Sequence, residues 1–245
     1  MVKLDLHVHS TYSLDAGLRP RDLVEEALRK GLSGVAVTDH GTVKGSLAVK
    51  RLSPPGFMTI PGVEVETTYG HLLILFIEEE VEPGDRDPLT VVDEAKELGG
   101  LVVLPHPFDY VRRMPPKVGE ELARKVDAVE VFNSRCLTME RNLRARRLAE
   151  ELSKPVTAGS DAHFAFELGR AWVVAEASDV EGVRDAIMKR RVEVKGRLSP
   201  PYARLMSALL KKARGLGRLA GLRLSEHPSQ PSISYLKHGP RHELD

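Results

Sequence analysis

The chain opens with Val2-Lys3-Leu4-Asp5-Leu6-His7-Val8-His9, and the reading of this stretch decides the fold. Val2–Leu6 is a short β-branched and apolar run, read as a strand, and it delivers the chain into His7 and His9. Residues i and i+2 of an extended segment share a face, so both imidazoles can reach one cation. Working outward, the same arrangement recurs. Gly34–Thr38 is a buried strand that runs into Asp39-His40, and Thr59–Ile60 with Val63–Val65 forms a strand region that carries Glu64. His71 begins the apolar run Leu72–Ile77, and Leu101–Leu104 ends at Pro105-His106-Pro107. Ala128–Phe132 ends at Asn133, and Val156–Gly159 ends at Ser160-Asp161-Ala162-His163. Helical patterns fall between these strands: one opened by Pro20 and ended by Gly31, then Val43–Leu52, Leu89–Leu98, Val118–Arg124 and Met139–Leu152. A Val180–Lys189 helix sits between late strands at Ala171–Ala175 and Arg191–Lys195. Alternation of strand and helix over about 195 residues predicts an α/β fold with a parallel sheet. In a (β/α) barrel, residues at the carboxyl ends of the strands converge on one face.

Length and composition set bounds on this reading. The 245 residues are 42% hydrophobic and 29% charged, ordinary for a globular protein. The single Cys, Cys136, excludes a disulfide framework and a thiolate zinc module, and reads as a buried small hydrophobe. No stretch approaches the roughly 18 apolar residues of a membrane span. The first ten residues, MVKLDLHVHS, contain no apolar signal region, so a cytoplasmic location is expected. The formal net charge of +1 is a sum of opposites. Residues 196–245 hold nine Lys+Arg against three Asp+Glu, and residues 1–195 hold 27 against 32. We therefore expect one barrel domain over residues 1–195 and a basic extension over 196–245. In the extension, Tyr202–Arg214 reads as a helix, Gly215, Gly217 and Gly221 weaken it, and disorder is expected from Ser225 onward, with His227, His238 and His242 solvated.

His7, His9, Asp15, His40, Glu64, His71, His106, Asp161 and His163 form a set of six imidazoles and three carboxylates. Such ligands suit zinc, manganese, iron or cobalt, and the set is too large for one ion. Glu64 in an otherwise apolar strand needs a cation or a hydrogen-bonded partner. Adjacent metals bridged by a carboxylate favour phosphoryl chemistry.

D-L-H-V-H-S at residues 5–10 with Asp15, T-D-H at 38–40, G-V-E at 62–64, P-H-P at 105–107 and G-S-D-A-H at 159–163 resemble the ordered motifs of the PHP (polymerase and histidinol phosphatase) family. The resemblance covers about residues 1–195. It implies a distorted, seven-stranded (β/α) barrel, a trinuclear metal site and metal-dependent phosphoester hydrolysis. Carried over by position, it implies that His7, His9, Glu64 and Asp161 hold a first metal. Glu64 would bridge to a second metal held by His71 and His106, and Asp15, His40 and His163 would hold the third. The implied cofactors are two or three divalent ions: zinc, manganese or iron. The expected reaction is in-line attack on phosphorus by a metal-bridging hydroxide. The substrate class is a small phosphorylated metabolite or nucleotide. The short Glu64-to-His71 connection leaves no room for the inserted lobe of some nucleotide-acting members.

Other residues carry weaker expectations. Asp39 is read equally as an orienting partner for His40 and as a helix cap or turn carboxylate. Asn133 and Arg135 follow a strand on the same face; Arg135 is read as a phosphate clamp or a surface loop arginine, and Arg170 as a phosphate contact or a salt bridge that steadies its loop. Arg112-Arg113 reads as a solvated loop, and Tyr69 and Phe108 as core or rim aromatics. Three alternatives accompany the phosphoesterase: an exonuclease whose basic tail holds RNA or single-stranded DNA, a non-catalytic scaffold built on the same barrel, and an amidohydrolase, which also uses an H-x-H pair.

Overall fold

The computed structural model of the protein describes residues 1–82, 84, 86–109 and 116–219. Arg112-Arg113 and the tail histidines lie outside the described residues. The chain runs β1 (Val2–Val8), α1 (Pro20–Arg29), β2 (Gly34–Val37), α2 (Lys44–Leu52), β3 (Met58–Thr67), β4 (Gly70–Leu75) and α3 (Pro88–Glu97). It continues β5 (Leu101–Leu104), α4 (Pro116–Lys125), β6 (Ala128–Asn133), α5 (Met139–Glu151), β7 (Val156–Gly159), β8 (Ala171–Ala175), α6 (Val180–Met188), β9 (Val192–Gly196) and α7 (Tyr202–Leu219). Local chemistry sets several helix starts. Pro20 and Pro88 occupy first-turn positions, and Asp87 and Asp179 cap α3 and α6 by accepting from Thr90 N and Gly182 N.

The strands pair in the order β7-β6-β5-β4-β3-β2-β1-β8-β9. The sheet curls into a mixed α/β, nearly closed nine-strand barrel. Closure occurs at the rim, where Asp161 N donates to His7 O at 2.8 Å and His9 N donates to Ala162 O at 2.9 Å. Lower down, the same edge of β1 pairs antiparallel with β8, Val2 opposite Ala175 and Leu4 opposite Val173. Gly159 lies tight against this seam: a Cβ there would stand 2.2 Å from His7 Cβ.

The expectation of a parallel sheet is corrected at β4, which runs antiparallel to both β3 and β5, and at β8, which runs antiparallel to both β1 and β9. A parallel connection needs a crossover of a dozen or more residues, and only Thr68 and Tyr69 separate β3 from β4. The reversal places the start of β4, and so His71, at the rim where the other strands end.

Side-chain alternation divides the sheet into an inner and an outer face. Leu4, Leu6, Ala36, Ile60, Leu73, Leu75, Leu101, Val103, Ala128 and Ala158 pack as one buried cluster, joined by Val183 and Ile187 of α6. Val63, Val65, Leu72, Ile74, Val102 and Leu104 pack outward with Val91, Val92 and Ala95 of α3 and Leu122 of α4. By the period of two, Glu64 shares the inner face with Ile60, and His71 with Leu73. In β1 the register against β2 shifts between Asp5 and Val8, which spends one extra residue. A bulge of this kind re-aims side chains. Val8 packs outward with Val35 and Val37, while His7 and His9 turn inward above the apolar lumen.

The tail helix is longer than expected. α7 continues through Gly215 and Gly217 to Leu219, because one face is held by the barrel: Ala203, Ser207 and Gly217 are buried, and the helix carries Arg204 and Arg214 into contacts described below. Its outer face leaves Leu205, Leu209 and Leu216 exposed. Among the described residues no helix is long and apolar enough to cross a membrane.

Gly159→Ala should drive a methyl group into the backbone of His7 and open the seam. The expected cost is about 3 kcal/mol, read as a lowered urea midpoint with an unchanged m-value.

Candidate metal centre

Nine side chains meet at the closed rim. Glu64, at the end of the inner row of β3, is their centre. Its Oε1 lies 2.8 Å from His71 Nδ1, 3.3 Å from His106 Nε2 and 3.8 Å from His7 Nε2. Its Oε2 lies 3.0 Å from His40 Nδ1 and 3.4 Å from His9 Nε2. Asp161 Oδ1 lies 3.3 Å from His9 Nε2 and 3.6 Å from both His7 Nε2 and His163 Nδ1. Asp15 reaches His40 Nε2 and His163 Nε2, each at 3.6 Å. Ligand atoms group as His7/His9/Asp161, His7/Glu64/His106, His40/Glu64/His71 and His9/His40/His163. Asp15 joins through His40 and His163.

The tautomers follow from the hydrogen-bond partners. His7 Nδ1 faces Glu130 Oε1 at 3.0 Å, and a carboxylate oxygen only accepts, so Nδ1 carries a proton. Ser13 Oγ donates its one proton to Asp39 Oδ1 at 2.6 Å, so it accepts from His9 Nδ1 at 3.3 Å. The Nε2 lone pairs of His7 and His9 are then directed at each other across 3.2 Å. Two lone pairs at that distance repel, so the pair shares a cation, either a proton carried by His7, whose pKa is raised, or a metal ion. The separations of 3.2, 3.3 and 3.6 Å in the His7/His9/Asp161 group match the edge of about 3.4 Å expected for tetrahedral ligands about 2.1 Å from zinc. Among the described residues Asp15 Oδ1 is buried with no hydrogen-bond partner, an acceptor that a cation would satisfy. The residues therefore fit divalent ions.

Electrostatics point the same way. Burial opposes a charge on His40, yet the Glu64 and Asp15 carboxylates outweigh it and push its pKa up to about 10. Burial also opposes a charge on His7, and Asp161 and Glu130 override it and raise its pKa. Burial, with His163 and His40 nearby, holds His9 down to about 3, the neutral form a metal ligand needs. Burial penalises the charge on Glu64 and Asp161, but the surrounding imidazoles keep both carboxylates well below their usual range. The rim demands cations, and protons on His7 and His40 supply them when nothing else does.

The backbone at two of these positions is left-handed: φ is 29° at His106 and 55° at Asp161. His106 precedes Pro107, which makes that conformation more costly still. Strain of about 1–3 kcal/mol per residue persists where surrounding contacts over-determine it. His106 N is held by Glu130 Oε2 at 2.9 Å, and Asp161 N by the seam bond to His7 O.

The remaining expected residues fall differently. Asp39 is fully buried and accepts from Ser10 N, Ser10 Oγ and Ser13 Oγ. Ser13 Oγ in turn receives His40 N and the His9 ring, so Asp39 orients His9 as well as the His40 backbone. Asn133 Nδ2 donates to Glu130 Oε2 at 3.0 Å and to Asp161 Oδ2 at 3.3 Å, which aims the Asp161 carboxylate. Arg135 does not stand in the cleft as a phosphate clamp. It is buried, with Nε on Glu167 Oε1 at 2.8 Å and Nη2 on Ala203 O and Ser207 Oγ. Its charge is spent because Glu167 is itself buried and needs a partner. Arg170 donates to Phe166 O and Leu198 O, a backbone tie instead of the expected phosphate contact or salt bridge. Cys136 is buried, and burial pushes its thiol up, away from reactivity.

Sequence reading passed over Glu130, Asp5, Glu167, Ser13 and Gly45. Glu130 offers the same signal as Glu64, a lone carboxylate in the apolar run Ala128–Phe132. Asp5 accepts from Ser160 N and Gly169 N, and burial raises its pKa to about 6. Glu167 Oε2 accepts from His163 N. Gly45 is required because a Cβ would stand 1.8 Å from Asp39 Oδ2.

Comparison with known families places a PHP domain on residues 5–121 and a PHP-associated region on residues 139–192. The chain belongs to the PHP family. An uncharacterised protein of Methanocaldococcus jannaschii is 37% identical over 185 residues, 74% of this PHP chain and 73% of the relative. A 5'-3' exoribonuclease of Haemophilus influenzae is 39% identical over 71 residues, 27% of this chain and 24% of the enzyme. Among solved structures, a two-domain protein from Bacteroides vulgatus containing a predicted PHP-like metal-dependent phosphoesterase superposes with a TM-score of 0.66 at 22% identity. That match covers 80% of this chain and 65% of the other.

Glu130→Gln keeps the shape of the His7 partner and removes its charge, so metal affinity should fall about 10–100-fold, measured by equilibrium dialysis with metal analysis. Because His40 carries a proton below about pH 10 and a ligating imidazole must be neutral, metal uptake at pH 7 should release protons and weaken as pH falls. Calorimetry in buffers of different ionisation enthalpy reads that release directly.

Proposed function

We propose that this PHP-family protein hydrolyses phosphoesters with two or three divalent ions held by His7, His9, Asp15, His40, Glu64, His71, His106, Asp161 and His163. The observation that carries the reading is the set of four overlapping groups of imidazole and carboxylate ligand atoms at the rim, with His7 Nε2 and His9 Nε2 3.2 Å apart beside two carboxylates. Zinc, manganese or iron bound there supplies Lewis acidity toward a phosphoryl oxygen and lowers the pKa of water toward neutrality.

The residues of the chain supply the rest. Glu64 gathers five imidazoles and keeps neighbouring positions within one carboxylate of each other. Glu130 and Ser13 fix the His7 and His9 tautomers with Nε2 free. His7, His9 and Glu64 are at most 2% exposed, whereas His40, His71, His106, Asp15 and Asp161 are 14–30% exposed. The floor of the site is therefore dry, and a substrate approaches from the partly open side. Three carboxylates, with Glu130 behind them, would repel a phosphate unless cations balance them, so anion binding and metal binding are coupled. The expected substrate is a small phosphorylated metabolite or nucleotide. The local match to an exoribonuclease makes an oligonucleotide the second class to test.

A panel of aryl phosphates, phosphodiesters, short single-stranded RNA and DNA, and amides, each with manganese, zinc or iron, tests the reading. Metal-dependent cleavage of a phosphoester is expected, falling to background in the His7→Ala/His9→Ala double variant together with metal content. Full phosphoester cleavage by that variant, or cleavage of amides alone, would refute it.

A further inference from the structure

The loop from Ser10 to Leu18 carries Asp15; Thr11 N donates to Leu18 O at 2.9 Å across its base, Gly17 N donates to His163 O at 2.8 Å, and Ser10 and Ser13 donate to Asp39. Ser13 N donates to Ser10 O at 2.9 Å, but Ala16 N reaches Ser13 O only at 3.3 Å. The Asp15 side chain adds no short tie of its own: among the described residues Oδ1 lacks a hydrogen-bond partner, and both oxygens stand 3.6 Å from the imidazoles they face. The stretch that flanks Asp15 receives a further tie from far along the chain. The carbonyl oxygens of Ser13, Leu14 and Ala16, which flank Asp15, converge on Nη1 of Arg214 at 3.1, 3.3 and 2.8 Å. Three carbonyl dipoles pointed at one spot repel each other, and a guanidinium, always charged and rich in donors, offsets that repulsion.

α7 holds Arg214 in place through contacts that also lead to the metal centre. Ala203 O and Ser207 Oγ accept from Arg135, Arg135 pairs with Glu167, and Glu167 accepts from His163 N at 3.1 Å. Near the start of the helix, Arg204 pairs with Asp109, whose backbone N bonds His106 O. The helix thus braces the Asp15 loop through Arg214, His163 through Arg135 and Glu167, and the His106 loop through Arg204 and Asp109.

We infer that Arg214 is a positioning residue for the limb of the metal centre made by Asp15, His40 and His163, which makes α7 part of that centre and not an appendage to the barrel. This rests on the reading of Asp15 as a metal ligand.

The test is a double-mutant cycle on the full chain with manganese or zinc alone as the probe, read as the number and affinity of ions bound at equilibrium. Arg214→Met, which keeps the apolar stem, should weaken one ion about 10–100-fold and leave the tighter ions unchanged. Asp15→Asn should weaken the same ion, and the double variant should be no worse than Asp15→Asn alone. Arg214→Lys, whose ammonium can sit among the three carbonyls, should recover part of the loss. If Arg214→Met weakens all ions alike, or weakens binding as much on the Asp15→Asn background, it acts on the whole fold and the inference falls. An equal loss in Arg214→Lys would overturn the role of the gathered carbonyls. If Asp15→Asn weakens an ion and Arg214→Met does not, the inference alone falls. If Asp15→Asn itself changes nothing, the ligand reading of Asp15 fails and takes the inference with it.

Discussion

One carboxylate organises this molecule. Glu64 is almost completely buried, and five imidazoles approach its two oxygens within 3.8 Å. A buried carboxylate without compensation costs several kcal/mol, and the five histidines arrive from four different strand ends or loops to meet it. His7 and His9 come from β1, His40 from the segment after β2, His71 from the start of β4, and His106 from the turn after β5. Each must be held where its lone pair can serve a shared cation. Much of the polar architecture of the rim follows from that requirement: Glu130 behind His7, Ser13 and Asp39 behind His9, and Asn133 behind Asp161.

The backbone bears costs to meet the same requirement. The left-handed conformations at His106 and Asp161, the register shift in β1 and the seam too tight for a side chain at Gly159 all lie within the rim. They occur beside a lumen packed with Leu, Ile, Val and Ala, whose burial supplies the stability that strained positions draw on. The antiparallel β4 belongs to the same pattern. A two-residue turn cannot cross over the sheet, so the reversal is forced, and it brings His71 to the working face.

The extension beyond the barrel has a larger part than its composition suggests. A basic stretch with glycines reads as a solvated or disordered appendage, because charge and propensity are local properties. Its helix instead delivers Arg204 and Arg214 to loops that carry His106 and Asp15, and receives Arg135. Removing residues after Lys195 would take away both basic charge and these braces, so nucleic-acid binding through the tail is better separated by changing the exposed Lys211 and Lys212.

Much of the site was legible in order along the chain. Paired His7 and His9 at a strand end, Glu64 as a lone carboxylate in an apolar strand, and the strand–helix alternation all report themselves locally, because the period of two and the cost of a buried charge operate within a few residues. The sequence by itself thus determined the α/β class, the PHP motifs and the chemical nature of the ligand set. Tertiary structure alone decided which face the H-x-H pair occupies, since a bulge sets it, and which way β4 runs relative to its neighbours. It also decided the duties of the arginines. Arg135, Arg170, Arg204 and Arg214 look alike in sequence, and what each does depends on which carboxylate or carbonyl lies within about 3 Å, at separations along the chain that run from 4 residues for Arg170 to 201 for Arg214. Hydrogen bonds of that range leave no periodic trace in sequence, which is why the bracing of the metal centre by α7 becomes visible only in the folded molecule.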